Sequence, residues 1–208
     1  MEKNIIWAHL LEPGLEHLHY YEGSNAITIN SLIVGLKENE PFRVQYEIIC
    51  DSSWRIRRLN LYTLNGMQRT LELESDGMGN WLNGRGEEVK SMRGCLNLDL
   101  AETPFTNGIA INQLGLLPGA AAEIKVAHIS IPELSIQPLR QRYTYIGDQR
   151  HNRVYHCENQ YRGSAAEFYM DDAGMVTDYP GTFIRVWPKA GNQGNVSGNS
   201  ALLNMVAY

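Results

Sequence analysis

The sequence predicts an all-β protein, a single sheet of about a dozen short antiparallel strands with at most short helices. Three observations lead there. Apolar and polar residues alternate with a period of two along much of the chain, most cleanly where Phe42, Val44, Tyr46 and Ile48 interleave with Arg43, Gln45 and Glu47. Turn-forming pairs punctuate these runs: Pro13-Gly14, Asn65-Gly66, Pro118-Gly119 and the stretch Asp171-Asp172-Ala173-Gly174. No window of a dozen residues sustains a 3.6-residue period, apart from a short turn near 107–116.

Taken in order, Ile5–Leu11 and Leu15–Tyr21 are two strands around the Glu12-Pro13-Gly14 turn. Asn25–Leu36, rich in Ile, Val and Thr, is the third. The turn 37–41 leads into the alternating run Phe42–Ile48. In Trp54–Leu64 the phase slips: Trp54 and Ile56 share one face, Leu59 and Leu61 the other. A bulge at Arg57-Arg58 accounts for the slip. Asn65-Gly66 then joins this strand to Met67–Ser75 as an antiparallel hairpin. Asp76–Gly86 reads as a glycine-rich turn carrying Trp81. It lacks the Lys-Ser/Thr of a phosphate-binding loop, and no helix pattern follows it, as a dinucleotide fingerprint would need.

Gly94–Leu100 alternates again. Leu96, Leu98 and Leu100 share one face, and Cys95, Asn97 and Asp99 the other. Thr103–Gly108 breaks this strand, because Pro104 removes a donor and Asn107-Gly108 adopts positive φ easily. The break is either a structural corner or a binding element. If it binds, Phe105 anchors it and Thr106 and Asn107 form a polar rim beside Asp99 at the mouth of the sheet. Ala121–Ile131, Leu134–Ile146, Val154–Cys157, Ala165–Met170, Met175–Tyr179 and Thr182–Trp187 complete the strands.

The 208 residues are read as one domain over 1–187 and a Gly/Asn-rich tail over 188–208. A net charge of −5 disfavours nucleic acid as a partner. Cys50, Cys95 and Cys157 form no disulfide framework and no metal-ligand spacing, which points to a reducing compartment. The start of the chain shows no secretory segment, and no apolar run is long enough to span a membrane, so a cytoplasmic location is expected. No metal or cofactor is expected. His17 and His19 share a strand face, but further ligands at recognisable spacing are missing.

Several segments together resemble a bacterial family named for glycolipid binding. They are Gly14-Leu15-Glu16-His17, Asp51 with Trp54 and Arg57, Asp76-Gly77-Met78-Gly79-Asn80-Trp81, Gly94–Leu100, Thr103–Asn107, Pro132-Glu133-Leu134, and Asp178-Tyr179-Pro180-Gly181 with Arg185. The resemblance runs from about Trp7 to Arg185 and departs from the family pattern at Asn97 and Gly108. It implies a strongly curved sheet forming an incomplete half-barrel like the lipoprotein carriers LolA and LolB. It also implies an amphipathic lipid or glycolipid held in the concave face. The candidate contacts are Trp54, Arg57, Trp81, Asp99, Thr106, Asn107 and Arg185. Tryptophans can stack on a sugar or fill the core, and arginines can clamp a head group or pair with carboxylates. Two other readings stand beside this one. One is an enzyme using Asp99, His17 or Glu72 as acid–base groups. The other is an interaction domain whose tyrosines, 143, 145, 155, 161 and 169, mark a partner surface.

Overall fold

The computed structural model describes residues 1–149, 152–159 and 163–189. The proposed tail is outside this range from residue 190 onward, as is Tyr161. Strands β1 (Glu2–His9), β2 (Gly14–Glu22), β3 (Ala26–Lys37), β4 (Glu40–Asp51), β5 (Ile56–Thr63), β6 (Thr70–Ser75) and β7 (Trp81–Asn83) form one antiparallel meander. A 3-10 turn, Lys90–Met92, precedes β8 (Asn97–Leu100) and helix α1 (Phe105–Leu114). A second meander follows: β9 (Ala121–Ile129), β10 (Ile136–Gln149), β11 (Asn152–Asn159), β12 (Ser164–Met170), β13 (Val176–Tyr179) and β14 (Phe183–Trp187). Pairing of β1 with β14 joins the meanders into one curved, open sheet of 14 strands, with β7 and β8 at its edges.

The sheet is mixed where the sequence predicts it to be wholly antiparallel. β8 runs parallel to β9, Asp99 lying opposite His128, because α1 carries the chain back between them. A parallel pair needs such a crossover, and a hairpin cannot supply it. The bulge is where the phase slip places it. Ile49 pairs with Arg58 and Cys50 with Ile56, which leaves Arg57 as the extra residue.

Alternation fills the inside of the curve. Leu18 and Tyr20 of β2, Ile27 and Ile29 of β3, Tyr46 and Ile48 of β4, and Leu59 and Leu61 of β5 are all buried. Helix α1 lies against this inner face and contacts both halves. The Phe105 ring is 6.3 Å from that of Trp7 on β1, and the Asn112 amide donates to Gly174 O beside β13 (2.9 Å). Phe105 and Ile109 belong to the apolar cluster of the first half, and Ala110 and Ile111 to that of the second. Seven successive helix residues, Phe105–Ile111, are buried. Thr103 Oγ1 accepts from Phe105 N at the helix start, and Gly115, at φ 54°, ends it in a left-handed turn with its N–H on Ile111 O.

The open edges are stitched at one corner. Gly94 N donates to Gly79 O, and the Trp81 indole donates to Cys95 O at 2.8 Å. A Cβ on Gly79 would come within 2.9 Å of Gly94 Cα, so this approach requires glycine. Asp76 folds the same turn by accepting from Met78 N, Asn80 N and the Asn80 amide. The Asp76–Trp81 motif is thus a structural corner. All three cysteines are buried and free. Among the described residues no helix is long and apolar enough to cross a membrane.

Candidate functional site

The helix occupies the part of the concave face where the sequence places a ligand. What remains open is a cleft of about 260 Å3 beside the start of α1. Its polar side is built by register. Parallel pairing sets His128 opposite Asp99, and His128 Nδ1 lies 3.0 Å from Asp99 Oδ2. Gln141, on the neighbouring β10, donates from its amide to the same oxygen at 3.0 Å. The Tyr143 hydroxyl lies 2.8 Å from both Gln141 Oε1 and Asn107 Oδ1. The single hydroxyl proton is directed at these two acceptor oxygens. A continuous chain therefore runs His128–Asp99–Gln141–Tyr143–Asn107 along this wall.

Phe168, Tyr179, Phe183 and Ala166 form the apolar side. The Phe168 and Tyr179 rings are 4.4 Å apart. At the mouth, His9 Nε2 lies 3.8 Å from Glu102 Oε2, with the His9 ring edge-on to Phe183 at 4.7 Å. Glu102 takes a left-handed backbone, φ 66°, at the tight turn between β8 and α1. Burial pushes its carboxyl above the usual range, and the nearby His9 opposes the shift. Burial also holds Tyr143 well above its usual range and pushes the Cys157 thiol up to about 12. Cys157, on the cleft wall, is thus a neutral thiol and not an activated nucleophile.

Of the seven residues singled out from the sequence, the structure brings Asp99 and Asn107 together here. Thr106 is fully buried and its hydroxyl accepts from Leu100 N at 3.1 Å, so it is a corner and not a rim. Of the expected loop 103–108, Phe105–Gly108 is instead the first turn of α1, with all four residues buried. Trp81 is buried at the stitched corner, away from the cleft. Trp54 stacks on Tyr20 at 5.9 Å, half-buried. Arg57, on the bulge, donates to Asp76 O. Arg185 pairs with Asp171 at 2.6 Å.

Leu96 is exposed ahead of β8, and Asn97, across from it in the alternation, is fully buried with its amide on Gln113. Tyr143, Tyr145 and Tyr155 are buried, the last two stacked on each other, so they mark no partner surface. His17 and His19 bond to Asn4 and Glu2 on β1. His128, Gln141, His9 and Glu102 are cleft residues that reading the sequence missed, and Tyr143 is buried behind them. Only strand register could have found them, since a parallel β8–β9 pair is what sets His128 against Asp99.

A family model described as "Putative glycolipid-binding" matches residues 4–185. Among solved structures, the crystal structure of a DUF1089 family protein from Pseudomonas aeruginosa at 1.80 Å superposes with a TM-score of 0.72. It is 31% identical, and the match covers 82% of this chain and 92% of that one. No curated protein matches the chain.

Proposed function

Because the chain belongs to the family described as "Putative glycolipid-binding", we propose that it binds the polar head of a glycolipid in the cleft beside α1. The observation that carries this reading is the composition of the cleft walls. One wall is a chain of planar hydrogen-bonding groups, Asp99, His128, Gln141 and Asn107, and the other carries the rings of Phe168, Tyr179 and Phe183. A sugar offers hydroxyls to the first wall and an apolar ring face to the second. At about 260 Å3 the space is below the ~300–1,000 Å3 of sites that enclose a whole drug-sized ligand. It therefore suits a head group, with the acyl part left outside.

The test is incubation of the purified protein with bacterial lipid extracts, followed by mass spectrometry of what co-purifies. Ala166 lines the cleft without joining its polar chain, so Ala166→Trp blocks the space and keeps the hydrogen bonds. Enrichment of a glycolipid by the native protein, lost in Ala166→Trp, supports the reading. No enrichment from several extracts, or equal enrichment by the variant, refutes it.

One observation favours a second reading. Two acid–imidazole pairs, Asp99–His128 and His9–Glu102, converge on the same cleft, which is the arrangement general acid–base catalysis needs. Turnover of the enriched lipid between pH 5 and 8 would support an enzyme. Recovery of intact lipid after long incubation would leave binding alone.

A further inference from the structure

The β13–β14 ladder has only two residue pairs, Asp178 with Ile184 and Tyr179 with Phe183. Tyr179 and Phe183 face the cleft. Asp178 and Ile184 face the other way, and there a second pocket of about 440 Å3 opens where the strands part, β13 following β12 and β14 following β1. Ile184, Val186 and Tyr169 form its apolar lining, with Arg185, Lys189 and Asp178 as its charges.

The Arg185 side chain is only 6% exposed. Its partner, Asp171, is already heavily used: Oδ1 accepts from Ala173 N and Met175 N, and Oδ2 takes Arg185. The backbone carbonyl of Asp171 takes Arg153. Arg153 and Arg185 each keep a buried Nε–H with no acceptor. Asp171 thus meets Arg185 through its carboxylate and Arg153 only through its backbone carbonyl, and Lys3 adds a third charge nearby. Burial, with Arg185 contributing, holds the Lys3 amine below its usual range against the pull of Asp171. Buried cations are ordinarily matched by carboxylates, and an unmatched one favours an incoming anion. Asp178 also lines the pocket, and burial pushes its carboxyl above the usual range.

We propose that this split in the sheet binds an amphipathic anion, its aliphatic chain against Ile184, Val186 and Tyr169 and its carboxylate or phosphate held by Arg185 and Lys189. The volume falls within the ~300–1,000 Å3 of small-molecule sites, and the lining combines apolar walls with a few fixed polar groups, as such sites do. This site is separate from the glycolipid cleft and does not depend on it.

Calorimetric titration of the full chain with octanoate, octyl phosphate, octanol and inorganic phosphate tests the proposal. Octanoate or octyl phosphate should bind saturably at one site, at least tenfold tighter than octanol or inorganic phosphate, and the stronger of the two identifies the head group. Ile184 is 40% exposed, so Ile184→Glu leaves the Arg185–Asp171 pair and the core in place. It should weaken the anion at least tenfold while the unfolding midpoint stays near that of the native protein. Octanol binding as tightly as octanoate would remove the role of the cations. Inorganic phosphate binding as tightly would remove the role of the apolar walls. Unchanged affinity in Ile184→Glu, or no saturable binding, would likewise overturn the site.

Discussion

At the scale of single residues, buried polar groups decide most. Glu16 is 2% exposed. Its Oε1 accepts from Ser31 at 2.7 Å and Tyr46 at 2.5 Å, while Oε2 has no partner. Burial pushes its carboxyl up to about 7, against the opposing pull of the nearby Thr103, Tyr46 and Ser31 side chains. The folded protein thus holds a proton that the unfolded chain releases near pH 4.5. Stability from this group is fully present below that value, falls as pH rises to about 7, and is flat beyond. The span is about 3 kcal/mol at 1.36 kcal/mol per unit. Denaturant titrations of Glu16→Gln at pH 5 to 8 should lose that slope, and a slope that persists would place its source elsewhere. Thr106 makes a second case. A valine there keeps the shape but strips Leu100 N–H of its buried acceptor, so Thr106→Val should cost about 1–3 kcal/mol. Lipid capture in the cleft should be unchanged in the protein that remains folded. A loss of capture without loss of stability would return Thr106 to the binding surface.

At the scale of elements, α1 organises the interior. Phe105 is 1% exposed and meets Trp7 across the inner face of the sheet. Phe105→Ala should cost about 3–5 kcal/mol, the loss typical of a large core aromatic. It should also raise protease cleavage between β8 and β9, because the helix loses its anchor to the first meander. A cost below about 1 kcal/mol would mean that the sheet closes over the gap and that α1 is held elsewhere. The helix escapes hydropathy reading for a physical reason. Its sequence, Phe-Thr-Asn-Gly-Ile-Ala-Ile-Asn-Gln-Leu, is buried nearly all round and so carries no amphipathic stripe. Its ends carry helix start and stop residues, Thr103-Pro104 and Gly115, but reading the sequence took Thr103–Gly108 as a loop.

At the scale of the whole molecule, the two meanders are bound by the β1–β14 pairing, by α1, and by the Trp7 indole donating to Val176 O at 2.9 Å. Neither half buries its inner face without the other. Thermal unfolding should therefore be one transition, with calorimetric and van't Hoff enthalpies equal. Two resolved transitions would show that the meanders are separate folding units. The antiparallel course also brings the turns after β1 and β13 to the end where the cleft opens, so residues more than 150 positions apart, such as His9 and Phe183, meet there.

The sequence by itself determined the class of the protein and most of its strands. Alternation and turn residues act over a few positions, and a strand with one buried face writes that face into every second residue. Even the bulge at Arg57 was legible, as a slip in phase between Ile56 and Leu59. Only the tertiary structure decided that β8 lies parallel to β9, that α1 fills the concave face, and that Asp99 meets His128 and Gln141 while Arg57, Trp81 and Arg185 are engaged elsewhere. These outcomes depend on which strand edges pair across the chain. That choice is made by the joint burial of two meanders and a helix, a quantity that no single segment carries.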